Sequence, residues 1–213
     1  LHVFYQIFLL NAYKYGELSE VYPIARGLSP LIIILVSFFF LNEEVSFYEI
    51  LGIILISFSL IIYGLKQFLN NKSSLKGFNL AIITGFLIAS YSIVDGYGAR
   101  VTQNPVGFFS VMTLINVLIF YLFAQFNDKH IIKKIIDNGK RSFFVGGAAS
   151  FSAYGIVVWA CLYLPIAVVS SIRETSILFA ILLGFFFLKE RINLIKAFLI
   201  FGLLFGLLFL RLG

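Results

Sequence analysis

The spacing of charges constrains this chain more than any other feature. Asp, Glu, Lys and Arg are missing from residues 27–42, 50–65, 77–94, 101–127, 142–172, 175–188 and 197–210. A helix rising 1.5 Å per residue crosses a hydrocarbon core of about 30 Å in about 20 residues, so several of these intervals are of membrane length. Charged residues make up 12% of the chain and hydrophobic ones 61%, against about 25% charged in ordinary soluble domains. So few charges cannot clothe a water-soluble globule, and lipid is the solvent for most of this surface.

The 31-residue interval from Ser142 to Ile172 is too long for one crossing. Pro165 divides it, because proline lacks the N–H that a helix interior uses and suits a first helical turn. Eight spans result, at about 1–15, 18–41, 46–66, 77–98, 106–126, 142–162, 165–188 and 193–211. Their interiors are Ile, Leu, Phe and Gly without strict alternation, which argues against a β-barrel. The expected fold class is therefore all-α, a polytopic membrane protein.

Several chemistries drop out on residue supply. Cys161 is the single cysteine, and His2 and His130 are the only histidines. No disulfide framework, metal site or cofactor is expected. Neither paired carboxylates nor a nucleophile with its base is visible, so no catalytic residue is assigned and the chain is not read as an enzyme. The net charge of +6 lies in loops between apolar runs; it reads as membrane orientation, and no nucleic-acid partner is expected. With crossings alternating, one side of the bilayer receives twelve loop Lys and Arg and the other receives Arg100 and Arg211. That bias makes the 127–141 loop cytoplasmic and the C-terminus external.

Laying residue 26 on residue 173 exposes an internal repeat. Ten of the eighteen pairs from Arg26/Arg173 to Glu43/Glu190 are identical, including Ser29/Ser176, Phe38/Phe185 and both terminal pairs. Apolar composition can supply the Leu and Phe matches, but not an arginine at one depth and a glutamate at one exit. Residues 1–66 thus read as three helices of a first unit, 67–76 as a linker and 77–213 as a second unit of five. The 71 residues 77–147 lack a counterpart at the front of the chain, which begins in apolar sequence with no signal-peptide pattern. Ten helices are expected in the intact protein, eight of them here. An odd number per unit makes the second cross in the opposite sense, an inverted repeat.

The residues Ser19-Glu20-Val21-Tyr22-Pro23-Ile24-Ala25-Arg26-Gly27-Leu28-Ser29-Pro30-Leu31 ending at Asn42-Glu43, and Ser171-Ile172-Arg173-Glu174-Thr175-Ser176-Ile177-Leu178-Phe179 ending at Lys189-Glu190-Arg191, resemble the EamA repeat of the drug/metabolite transporter superfamily. The resemblance implies two inverted five-helix repeats around a central cavity, with a small-molecule substrate moved by alternating access. It implies an integral protein of a bacterial inner (plasma) membrane, with the lipid bilayer as partner and a homodimer as a compatible assembly. Related carriers place the C-terminus inside, against the charge bias. Two other readings stay open: a non-transporting lipid-handling or assembly membrane protein, and an intramembrane transferase.

Six residues are candidates for substrate binding. Arg173 lies eight residues past Pro165, about 12 Å along the helix and too deep for easy snorkelling. A charge there costs about 2.5–3.5 kcal/mol on insertion scales, so Arg173 and its repeat mate Arg26 either face a common cavity or tie helices together. Glu174 is rotated about 100° from Arg173 on a regular helix and reads as either a cavity group or a buried pair. Tyr91 and Asp95 share a face at i and i+4, Asp95 closing its helix as a cavity group or a solvated end. Trp159 sits near its helix end, where interfacial anchoring competes with substrate stacking. Pro30 is expected to bend its helix beside Arg26, and Gly146, Ser150, Gly202 and Gly206 to let helices approach closely.

Overall fold

The computed structural model describes residues 1–71, 74–127, 133, 137, 139–189 and 193–213. Among them every regular element is a helix: α1 (His2–Tyr15), α2 (Leu18–Val36) with a π-helical extension (Ser37–Leu41), α3 (Phe47–Asn71), α4 (Leu75–Thr102), α5 (Pro105–Asn127), α6 (Lys140–Ala160), α7 (Ile166–Arg173), α8 (Ser176–Leu188) and α9 (Leu194–Leu212). Among the described residues seven stretches are long and apolar enough to cross a bilayer: Leu18–Leu41, Phe47–Asn71, Leu75–Thr102, Pro105–Phe126, Phe143–Ala160, Ile166–Phe187 and Leu194–Leu212. The eighth expected span, α1, has 14 residues, about 21 Å at 1.5 Å per residue and short of a 30 Å core.

Local chemistry sets the helix ends. Ser46 and Glu49 form a capping box at α3, the Ser46 N–H donating to Glu49 Oε2 at 2.7 Å and the Glu49 N–H to Ser46 Oγ at 3.2 Å. Asn104 accepts from the Gly107 N–H at 2.9 Å ahead of Pro105, and Asn193 from the Lys196 N–H at 2.9 Å. The two aligned stretches end alike. Asn42 (φ 49°) donates its N–H to Ser37 O, and Lys189 (φ 55°) donates to Gly184 O. Both pairs are related by the 147-residue offset. Glu190 and His130 lie outside the described residues.

Two sequence expectations change, and one feature was not expected. α2 is helical through Pro30, and the second stretch, without a proline there, is interrupted between α7 and α8 at Glu174–Thr175. Around that interruption the N–H groups of Glu174, Thr175, Ile177 and Leu178 donate to carbonyls three residues back, at 2.9–3.1 Å. α4 runs on to Thr102, so Asp95 is interior to a helix and buried, not a solvated end. Gly146 has nothing within 4 Å of an added Cβ, so it brings no helix close.

The chain forms two compact units, Leu1–Ile93 with Leu164–Gly213, and Val94–Tyr163. In the first, α3 packs between α2 and α9. Small residues permit this: a Cβ on Gly27 meets Ser57 O at 2.8 Å, and one on Gly52 meets Gly206 O at 2.7 Å. Ile53, Ile56, Leu60, Leu199 and Leu203 fill the resulting core with no exposure. A second stripe, Gly77, Ala81 and Gly85 on α4, brings that helix against α1 and α2, where Ala12, Val21, Ile24 and Ala81 form an apolar cluster. In the second unit α5 packs on α6, with Phe109 stacked on Phe151 at 4.9 Å between centroids. The outer faces are apolar and exposed, as lipid requires.

Candidate functional site

Within the first unit two arginines converge on one carboxylate. Arg26, two turns into α2, places Nη1 at 3.1 Å from Glu174 Oε1 and 3.4 Å from Oε2. Arg173 Nε lies 3.5 Å from the same Oε1. The Glu174 side chain has no exposure, and those of Arg26 and Arg173 retain 17% and 11%. On a continuous helix Arg173 and Glu174 would point about 100° apart. Because α7 ends at Arg173, Glu174 sits in the tightened turn and its carboxylate meets both guanidiniums.

Aromatic rings crowd this cluster. The Arg26 guanidinium lies 4.9 Å over the Tyr22 ring, one turn back on α2. Tyr5, Tyr22 and Tyr91 all lie within electrostatic reach of Arg26. Tyr91 is buried on α4, its ring 4.4 Å from that of His2 and 5.2 Å from that of Tyr5. Thus α1, α2, α4 and the α7–α8 interruption all supply polar groups to one region of this unit. That arrangement can hold an oxyanion, since guanidiniums present planar forks of donors in a medium of low dielectric.

The remaining two candidates belong to the second unit. Asp95 is 1% exposed, and Tyr154 on α6 donates its hydroxyl to Asp95 Oδ2 at 2.7 Å. The Tyr154 ring is 5.3 Å from Phe109. Trp159, half exposed in the last turn of α6, has its ring 5.1 Å from that of Tyr163. Arg100 Nε donates to Cys161 O at 2.7 Å, holding the end of the same helix.

Tyr5 and Tyr22 were not among the residues the sequence singled out. For Tyr22 a signal existed, its i, i+4 spacing to Arg26. Tyr5 depends on contacts between helices far apart in sequence, and nothing separates it from the other tyrosines among the eleven. Tyr154 stands out in the sequence through its i, i+4 spacing to Ser150 on one helix face, but its bond to Asp95, 59 residues away, is not legible there.

A comparison with curated proteins returns no match. The model of the EamA-like transporter family matches residues 75–212, nearly two-thirds of the chain. With seven stretches among the described residues able to cross a bilayer and that match, this integral membrane protein belongs to the EamA-like transporter family, in keeping with the drug/metabolite transporter superfamily.

Proposed function

We propose that the protein carries a small polar or anionic metabolite across a bacterial inner membrane by alternating access between two inverted five-helix repeats, α1 supplying the eighth crossing of this chain. The observation that carries the reading is the meeting of Arg26 and Arg173, from repeat-related positions, on Glu174 at an interrupted helix. Transporters of this broad type form their sites from discontinuous helices near the bilayer midplane. The matched endings at Asn42 and Lys189 support the repeat. An anionic substrate group is favoured because each guanidinium keeps its charge at any accessible pH.

The closing of Arg26 onto Glu174 at 3.1 Å favours a second reading, in which the arginines are ties between helices. Uptake into proteoliposomes separates the two, using labelled monocarboxylates, phosphate esters and neutral polyols in turn. If the site takes an anion, flux of one anionic class falls in the order wild type, Arg173→Lys, Arg173→Gln. Each charge-assisted bond lost costs about 1.5–3 kcal/mol, roughly ten- to a hundredfold in apparent affinity. Unchanged affinity in Arg26→Gln and Arg173→Gln, with lower thermal stability, makes them ties and moves the substrate site toward Tyr91, Asp95 and Trp159.

A further inference from the structure

The eight-residue helix α7 is fastened to the α2 segment at both of its ends. It starts after Pro165, whose side chain offers no cap, so the N–H of Ile166 needs a partner from elsewhere. Ile166 is 1% exposed, out of reach of bulk solvent. Both carboxylate oxygens of Glu43 lie 3.2 Å from that nitrogen. An anion at this end also suits the helix dipole. Glu43 is itself held where α2 terminates: its N–H donates to Ser37 O at 3.2 Å, and Asn42 turns the chain with φ 49°. At the other end of α7, Glu174 takes Arg26 of α2. The two helices therefore run antiparallel between a carboxylate-to-backbone hydrogen bond at one end and an ion pair at the other.

Beyond Glu174 the character of the chain changes. Residues 166–171 of α7 are all buried, whereas Phe179, Phe186 and Phe187 of α8 are 66%, 70% and 78% exposed. The junction is made of shortened hydrogen-bonded turns, the local geometry at which helices bend. We infer that Glu43 is a positioning residue for the arginine–glutamate site: it locks α7 to α2 as one body, so that the chain pivots at Glu174–Thr175 and α8 moves while Arg26, Arg173 and Glu174 stay together. This rests on the cluster being the functional site, but its test reads distances and not flux, so it fails independently of the transport reading.

The test is dipolar spectroscopy on the full chain in lipid nanodiscs, with Cys161→Ala removing the native thiol. One sample carries nitroxides at Leu35→Cys in α2 and Ile172→Cys in α7; the other carries them at Leu35→Cys and Phe186→Cys in α8. A narrow α2–α7 distance distribution and a wider α2–α8 one are expected. Glu43→Ala should abolish the narrow α2–α7 distribution, and Glu43→Gln, which keeps an acceptor for the Ile166 N–H, should restore most of it. Equal widths for the two label pairs overturn the proposal without any change at Glu43. So does an α2–α7 distribution that Glu43→Ala leaves as it was.

Discussion

Replacing Glu174 with glutamine tests the centre of the site most directly. The substitution keeps shape and an acceptor but removes the one negative charge between Arg26 and Arg173, whose nearest nitrogens lie at 3.1 and 3.5 Å. At an effective dielectric constant near 20, opposite unit charges about 4 Å apart attract by about 4 kcal/mol. Breaking a buried pair by removing one partner costs about 3–5 kcal/mol, because the other charge stays buried. Arg26→Gln should cost less, since Arg173 remains beside Glu174. The double variant should cost less than the sum of the singles, with a coupling of about 0.5–3 kcal/mol. In a chain of this length about 1 kcal/mol moves Tm by 2–4 °C, so Glu174→Gln should lower the detergent-phase transition by roughly 6–20 °C. The reasoning is refuted if Glu174→Gln melts with the wild type, or if the two single effects simply add.

Further substitutions probe packing and topology. Gly52→Ala pushes a methyl group to 2.7 Å from Gly206 O and should destabilise by about 1–3 kcal/mol. Gly146→Ala enters open space and should be neutral or up to about 1 kcal/mol stabilising through helix propensity, both read by thermal unfolding in detergent. Tyr154→Phe deletes the donor to Asp95 Oδ2 and should cost about 1.5–3 kcal/mol, whereas Tyr97→Phe on the exposed face of α4 should change little. The charge bias of the loops places the C-terminus outside, so green fluorescent protein fused after Gly213 should stay dark in cells. Bright fluorescence overturns that orientation.

What the sequence made legible, and what it hid, follows from the range of the interactions. Helix positions depend on local apolarity and on local caps such as Ser46–Glu49 and Asn104, so the seven crossings were readable to within about five residues, while α1 forms a helix too short to count among them. The two arginines were readable because a charge deep in an apolar run needs a reason wherever it occurs. The interruption at Glu174–Thr175 was not, because no proline or glycine marks it and its carboxylate draws on Arg26, 148 residues away. Pro30, the visible breaker, sits in a helix that continues past it while α3 and α7 pack against α2. The glycine rule failed at Gly146 for a related reason: small residues allow a close approach, but a facing helix has to be there.

The two aligned stretches differ where the second carries Glu174, and packing explains why. Position 174 aligns with Gly27, where a Cβ would meet Ser57 O at 2.8 Å, Ile61 Cγ1 at 2.8 Å and Leu60 Cβ at 2.9 Å. No carboxylate can stand there while α2 lies against α3, so the first copy keeps its arginine and gives up the acid. In the second copy the helix is interrupted at that level, and the same position has room for a glutamate with no exposed surface. The two aligned arginines are consequently served by one acid, which only the second stretch has room for. Glu174→Gly, which makes the copies identical at this position, should therefore destabilise the chain at least as much as Glu174→Gln, while Gly27→Ala should act through α2–α3 packing alone. If Gly27→Ala and Glu174→Gln show a coupling in a double-mutant cycle as large as that between Arg26 and Glu174, the asymmetry belongs to the backbone and not to the charge.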